Sequence, residues 1–345
     1  MNYQRRACLA ALLGIAAASI AHAQVRVYRV AHVVLARVDT PGMFYDAVRD
    51  RLAERGYSTG RNLDLRFFAQ RESYATTDPE RARKSVMDEA LGWKPDVILV
   101  GTAAAARYAK QATSTVPIVF ANVQDPQTLG IVASLARPGA NITGVGQHYD
   151  TLSIKRLELI RELLPSARRI LLIVDQRGGS IPADSHESLL AAAARLNLAV
   201  SEIDTTTLPG GLCAVAAPAT QARVDAMVTW GNIEAPIGYK GNKPWGAQRY
   251  GECLAEIQRR SRIPVVDDST DTVLQGVAVG LGEDQKDSYR RAADIIARIL
   301  GGARPGEIPV ELDMRTHLFV NGPSLRELGI TLPVSVRVRV DRVVE

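Results

Sequence analysis

Gly101, Thr102 and Ala103 stand where a strand-like run, 95–100, gives way to an alanine-rich helical one. At such a junction the first backbone N–H groups of the helix have no intrahelical acceptor, and the helix dipole adds partial positive charge. The three residues could therefore receive an anion such as a carboxylate. Gly101 lets a ligand approach the backbone, and Thr102 can cap its own helix, donate a hydroxyl to a ligand, or do both. Asn122, Gln124 and Asp125 follow the next strand-like run, at the end where open α/β sheets bind ligands, although Asp125-Pro126 reads equally as the start of a turn. Asp175 with Gln176, Trp230 with Asn232, and Asp267 with Asp268 hold the same kind of position later in the chain. An unpaired buried charge costs several kcal/mol, so a ligand ammonium would need a carboxylate. Asp175 and Asp268 are the candidates, and each also fits a helix cap or a loop. Trp230, Phe44 and Tyr45 could enclose an aromatic or apolar ligand body, or belong to the core.

Covalent and metal chemistry find no comparable support. Outside the N-terminal segment the histidines are His32, His148, His186 and His317, with no H-x-x-x-H or H-E-x-x-H spacing. There is no G-x-S-x-G elbow, no G-x-x-x-x-G-K-[ST] phosphate loop, and no G-x-G-x-x-G after the first strand. His32 and His148 read as strand-borne structural or cleft residues. The expectation is a binding protein without metal, cofactor or catalytic residues.

The elements that must position these residues alternate strand and helix, which predicts an α/β chain. Strands are expected at 27–35, 62–68, 95–100 and 117–121, with helices at 44–55, 79–91 and 103–112 between them. Four β-α units in this stretch predict one small lobe. A polar, Gly-rich passage, 137–144, precedes a second round of the same rhythm: helices at 152–164, 185–196 and 248–260, and strands at 170–175, 199–203, 225–230 and 264–267. The segments 276–281 and 309–320 read as extended crossings between lobes, with a helix at 287–300 between them. The fold class is thus two doubly wound parallel-sheet lobes with a ligand cleft between them. The stretch 232–245 fits neither strand nor helix, and as a long loop at a strand's C-terminal edge it reads as functional or as plain solvent loop.

The chain has 345 residues, enough for two domains, with the 46% apolar and 23% charged content of an ordinary globular protein. Arg5 and Arg6 precede an apolar run, 7–20, that ends in Ala21-His22-Ala23, the order of a cleaved signal peptide. The run is shorter than the roughly 20 residues a membrane-crossing helix needs, so cleavage after Ala23 is expected. Cys8 precedes the apolar core, where a lipobox cysteine would not lie. Removal takes away two arginines and no acids, lowering the formal charge from +5 to +3. No basic block is interleaved with aromatics, so nucleic acid is not an expected partner. Cys213 and Cys253 remain, and an oxidising compartment permits a bridge while leaving free thiols equally open.

The segment from Lys94-Pro95-Asp96 through Gly101-Thr102, then 110–120 with Asp125-Pro126, 130–139 and 141–145, closely resembles the ABC transporter substrate-binding family that includes tryptophan- and tyrosine-binding proteins. The likeness continues at Lys155-Arg156-Leu157-Glu158-Leu159 and Leu163-Leu164-Pro165, and returns at 289–300, at Ile308-Pro309-Val310-Glu311 and at 328–333. It weakens over 35–43 and 231–250, where ligand contacts are expected. The resemblance implies the type I periplasmic-binding-protein fold, two lobes crossed by three segments: 24–146 with 282–315, and 147–281 with 316–345. It also implies a periplasmic monomer that captures a small solute, of amino-acid type, by hinge closure and delivers it to an ABC permease. The alternatives are a ligand sensor feeding a membrane receptor and an exported enzyme.

Overall fold

In the computed structural model the described residues are 26–37, 41–70, 79–147, 149–175, 183–230, 247–313 and 315–345. The N-terminal segment read above as a signal peptide, Gln176, Asn232 with the whole stretch 232–245, and His148 lie outside them. The first sheet is built from β1 (Tyr28–Arg37), β2 (Leu63–Gln70), β3 (Val97–Val100), β4 (Ile118–Gln124), β5 (Ile142–Gln147) and β11 (Glu311–Asp313), in the order β2-β1-β3-β4-β5-β11 and wholly parallel. The second comprises β6 (Arg169–Val174), β7 (Ala199–Asp204), β8 (Ala226–Trp230), β9 (Val265–Asp267), β10 (Val279–Gly282), β12 (His317–Asn321) and β13 (Arg342–Val344). Its order is β7-β6-β8-β9-β10-β12-β13, parallel except for the β10/β12 pair.

Strands covered on both faces must be apolar throughout, and β3 (VILV) is buried at every position. The helices that cover the first sheet are α1 (Met43–Glu54), α2 (Pro79–Gly92), α3 (Ala103–Ala112) and, from much later in the chain, α8 (Gln285–Leu300). Those of the second are α4 (Tyr149–Leu163), α5 (Ala183–Arg195), α6 (Ala216–Gln221), α7 (Ala247–Ser261), α9 (Gly322–Glu327) and α10 (Val334–Arg337). Four clusters of buried apolar side chains lie one on each face of each sheet, and none of them mixes residues of the two sheets.

The chain passes between sheets three times: from β5 to α4, from β10 to α8, and from β11 to β12. The first two passages leave the C-terminal ends of parallel strands and enter the N-termini of helices, so they join the C-terminal edges of the two sheets. Three expectations need correction here. The Gly-rich passage 137–144 contains the start of β5, whose glycines answer to neighbours: a Cβ at Gly144 would strike the Phe120 backbone. The second half of 276–281 lies in β10, a central strand, and the crossing comes after that strand, between Gly282 and α8. The first four β-α units do not complete a lobe, because β5, β11 and α8 finish that sheet. Cys213 and Cys253 are joined in a disulfide that ties the 3-10 turn Gly211–Ala214 to α7.

Candidate functional site

Each sheet reverses its direction of growth between its first and third strands, β1/β3 and β6/β8, and the crevice beyond such a reversal is where open α/β sheets bind ligands. At the first crevice, Thr102 keeps extended backbone two residues beyond the end of β3. Its Oγ1 accepts from the Ala105 amide at 3.2 Å and its carbonyl accepts from the Ala106 amide at 2.9 Å. The cap is therefore made, and the amides of Ala103 and Ala104 remain without an intrahelical acceptor.

Gly101 has a reason beyond ligand access. A Cβ there would run into the hydroxyl of Tyr289 on α8, with the ring Cζ at 3.2 Å. Tyr289 stacks on Phe44 at 4.6 Å between ring centroids and leans against His32 at 5.6 Å. Tyr45 lies parallel to His32 at 6.2 Å, donates its hydroxyl to the Leu65 carbonyl at 2.8 Å, and with Phe67 completes an aromatic box. Burial lowers the His32 pKa to about 4, so its ring is neutral at neutral pH, and neither ring nitrogen has a hydrogen-bond partner. The same burial pushes the Tyr289 and Tyr45 phenols up, keeping both protonated.

The end of β4 carries a second polar group. Its pairing with β5 slips between Phe120 and Val123, and Asn122, inside that irregularity, takes a positive φ of 53°, as does Asp125 at 39°. Asn and Asp tolerate this region better than other side-chain-bearing residues, and such conformations cluster at functional sites. Asn122 Oδ1 accepts from Gln147 at 3.4 Å, and the Asp125 amide donates to the Gln147 carbonyl at 3.1 Å. Gln124 Oε1 is buried without a partner.

The second crevice is lined differently. Asp175 follows β6 and is only 1% exposed, and Trp230 ends β8 at the same exposure. Trp230 packs into the core and stacks on His186, which pairs with Glu202. Asp267 is fully buried and accepts from the hydroxyls of Thr229 at 2.5 Å, Tyr250 at 2.7 Å and Thr272 at 2.7 Å, and from the Ser269 amide at 3.2 Å. Burial, reinforced by the Asp267 charge, pushes the Tyr250 phenol well up. Asp268 is partly exposed, and its carbonyl lies where Gly282, at the crossing, leaves no room for a Cβ. The Lys286 ammonium on α8 reaches Asp271 of the second lobe at 3.9 Å.

The structure thus gathers Gly101, Thr102, Ala103, Phe44 and Tyr45 at one edge, Asn122, Gln124 and Asp125 beside them on the neighbouring strand, and Asp175, Trp230 and Asp268 at the other. Phe44 and Tyr45 meet through Tyr289 and His32, whereas Trp230 belongs to the core of the other lobe. Sequence reasoning passed over Tyr289, whose place among Ala292, Ala293 and Ile296 on one helix face reads as core, and put Asp267 at a strand end without giving it a role. A close approach demanded by Gly101 was the available signal for the first. Among the described residues no group of three or more His, Cys, Asp or Glu could hold a metal ion, and no helix is long and apolar enough to cross a membrane.

Two doubly wound lobes of the same strand order, crossed three times and edged with polar groups, define the type I periplasmic-binding-protein fold. The family model for the ABC transporter substrate binding protein matches residues 30–344, and the chain belongs to that family. It is 25% identical over 294 residues to the tyrosine-binding protein of Clostridioides difficile strain R20291, covering 81% of this chain and 74% of the relative. A conserved domain protein from Vibrio cholerae superposes with a TM-score of 0.75 at 25% identity, covering 92% of this chain and 100% of that one. The ABC domain from Streptococcus pneumonia in complex with L-Trp gives the same TM-score at 22% identity, with the same coverage of each chain.

Proposed function

We propose that the chain is the periplasmic solute-capturing subunit of an ABC importer, binding a small carboxylate-bearing solute of the amino-acid type with an aromatic or apolar side chain. The observation that carries this reading is the pairing of edges: open amides at the α3 N-terminus in one lobe, and the carboxylates Asp175 and Asp268 at the equivalent edge of the other. An amino acid presents the complementary pair, an anion and a cation. The tyrosine-binding relative and the L-Trp complex favour an aromatic side chain, for which Phe44 and Tyr289 supply a stacked wall. The disulfide suits an oxidising compartment, in keeping with the signal-peptide pattern and cleavage after Ala23.

The mechanism is hinge closure. Among their described residues the lobes, 24–146 with 282–315 and 147–281 with 316–345, share no apolar cluster, so relative motion about the three crossings is the default. A solute touching both edges stabilises the closed form by its differential affinity, and the closed monomer docks on the permease. A thermal-shift screen of L-tyrosine, L-tryptophan, L-phenylalanine and L-leucine tests it. A ligand at 100 times its Kd adds about 2.7 kcal/mol, and scattering should show compaction with the same compound. A flat screen across all four would end the amino-acid reading.

A further inference from the structure

We propose that the Tyr289 hydroxyl is itself a ligand contact, donating to the solute's carboxylate beside the α3 N-terminus, which makes Tyr289 a specificity-determining residue of the first lobe. This rests on the amino-acid reading of the cleft and adds to it a residue from a helix far along the chain.

Four observations converge on it. Tyr289 is only 5% exposed, yet no hydrogen bond of its hydroxyl is observed among the described residues. The oxygen is not among the fully buried atoms that lack a partner, so it keeps some exposure and is open to an acceptor from outside the chain. The oxygen lies against the backbone of Gly101, immediately before the cap residue whose helix opens with unclaimed amides. That places a side-chain donor beside main-chain donors, the arrangement an anion needs. The ring is immobilised by Phe44 on one side and His32 on another, and by the buried cluster of α8 and α1. The hydroxyl is thus held in place before any ligand arrives, which spares the ordering cost on binding. Finally, burial keeps the phenol protonated, so it acts as a donor at any physiological pH.

The test uses the mature protein and two substitutions. Tyr289→Phe keeps the ring, its stacking and its packing on Gly101, and removes only the donor. Affinity for whichever of L-tyrosine, L-tryptophan or L-phenylalanine binds is expected to fall about 10- to 100-fold by calorimetry, the range for a hydrogen bond to a charged group. The melting temperature without ligand should hold or rise. Gly101→Ala should lower both melting temperature and affinity, because its methyl meets the hydroxyl. Combining it with Tyr289→Phe should recover most of the melting temperature, the nearest atom now being ring Cζ at 3.2 Å, while affinity stays low. Wild-type affinity in Tyr289→Phe would overturn the contact and leave the amino-acid reading intact. A wild-type protein that binds none of the three would overturn both. A Gly101→Ala variant not rescued by Tyr289→Phe would show that the hydroxyl does not lie where the contact requires.

Discussion

In the first lobe the His32 ring nitrogens and Gln124 Oε1 are buried without partners, whereas in the second one buried carboxylate, Asp267, gathers four donors from β8, α7 and the turn after β9. The strand orders are alike, so topology does not account for the contrast. A half-satisfied polar edge costs free energy, and a saturated one stiffens its surroundings. The second lobe also carries the disulfide, which pins α7, the helix that brings Tyr250 to Asp267. The lesson is local: the Asp267 carboxylate is satisfied from within, although Gln275 Oε1 of the same lobe is buried without a partner, whereas the β4 end of the first lobe leaves Gln124 Oε1 unsatisfied.

The comparison can be broken at three points. Replacing Cys213 and Cys253 together by alanine should cost about 4 kcal/mol, the chain-entropy expectation for a sequence separation of 40, read by urea unfolding. A loss under about 1 kcal/mol would mean that packing alone holds the second lobe. Asp267→Ala leaves the Thr229, Thr272 and Tyr250 hydroxyls without their acceptor and should cost about 3 kcal/mol in the same measurement. A near-neutral result would remove the claim that this edge is held together by the carboxylate.

His32 tests the first lobe through pH. Its pKa is about 4 folded against the ordinary 6.5, so the unfolded chain binds the proton more readily. Stability is full above 6.5 and falls as pH drops towards 4, by about 2 kcal/mol between pH 7.5 and 5. His32→Leu should flatten that part of the profile, followed by the urea midpoint at several pH values. An unchanged acid limb would show that the imidazole is not the group being protonated.

Much of this molecule could be read locally. The helix after Thr102 runs over the expected residues, since an N-cap and an alanine-rich run act within a few positions of each other. Buried strands such as β3 announced themselves as unbroken apolar runs. The strand β5 escaped because its glycines, required by the closeness of Phe120 and Pro126, mimic a linker. The short strand β13 and the helices α9 and α10 near the C-terminus have too few residues to show a period. At the site, Gly101, Thr102 and the β4 end were visible as residues following strands. Their partners were not, because Tyr289 and Gln147 reach them through helix packing and sheet order.

By itself, then, the order of apolar runs and breakers determined two α/β lobes and the edges where a solute binds in such folds, because strand burial and helix capping are short-range requirements, while the family showed only in the resemblance of particular segments such as 94–102 and 130–145. Tertiary structure alone decided that Tyr289 rests on Gly101, that His32 sits in an aromatic box, that Cys213 meets Cys253, and that Asp267 is filled while Gln124 is not. Those facts depend on which distant segments lie side by side, and no local propensity carries that information.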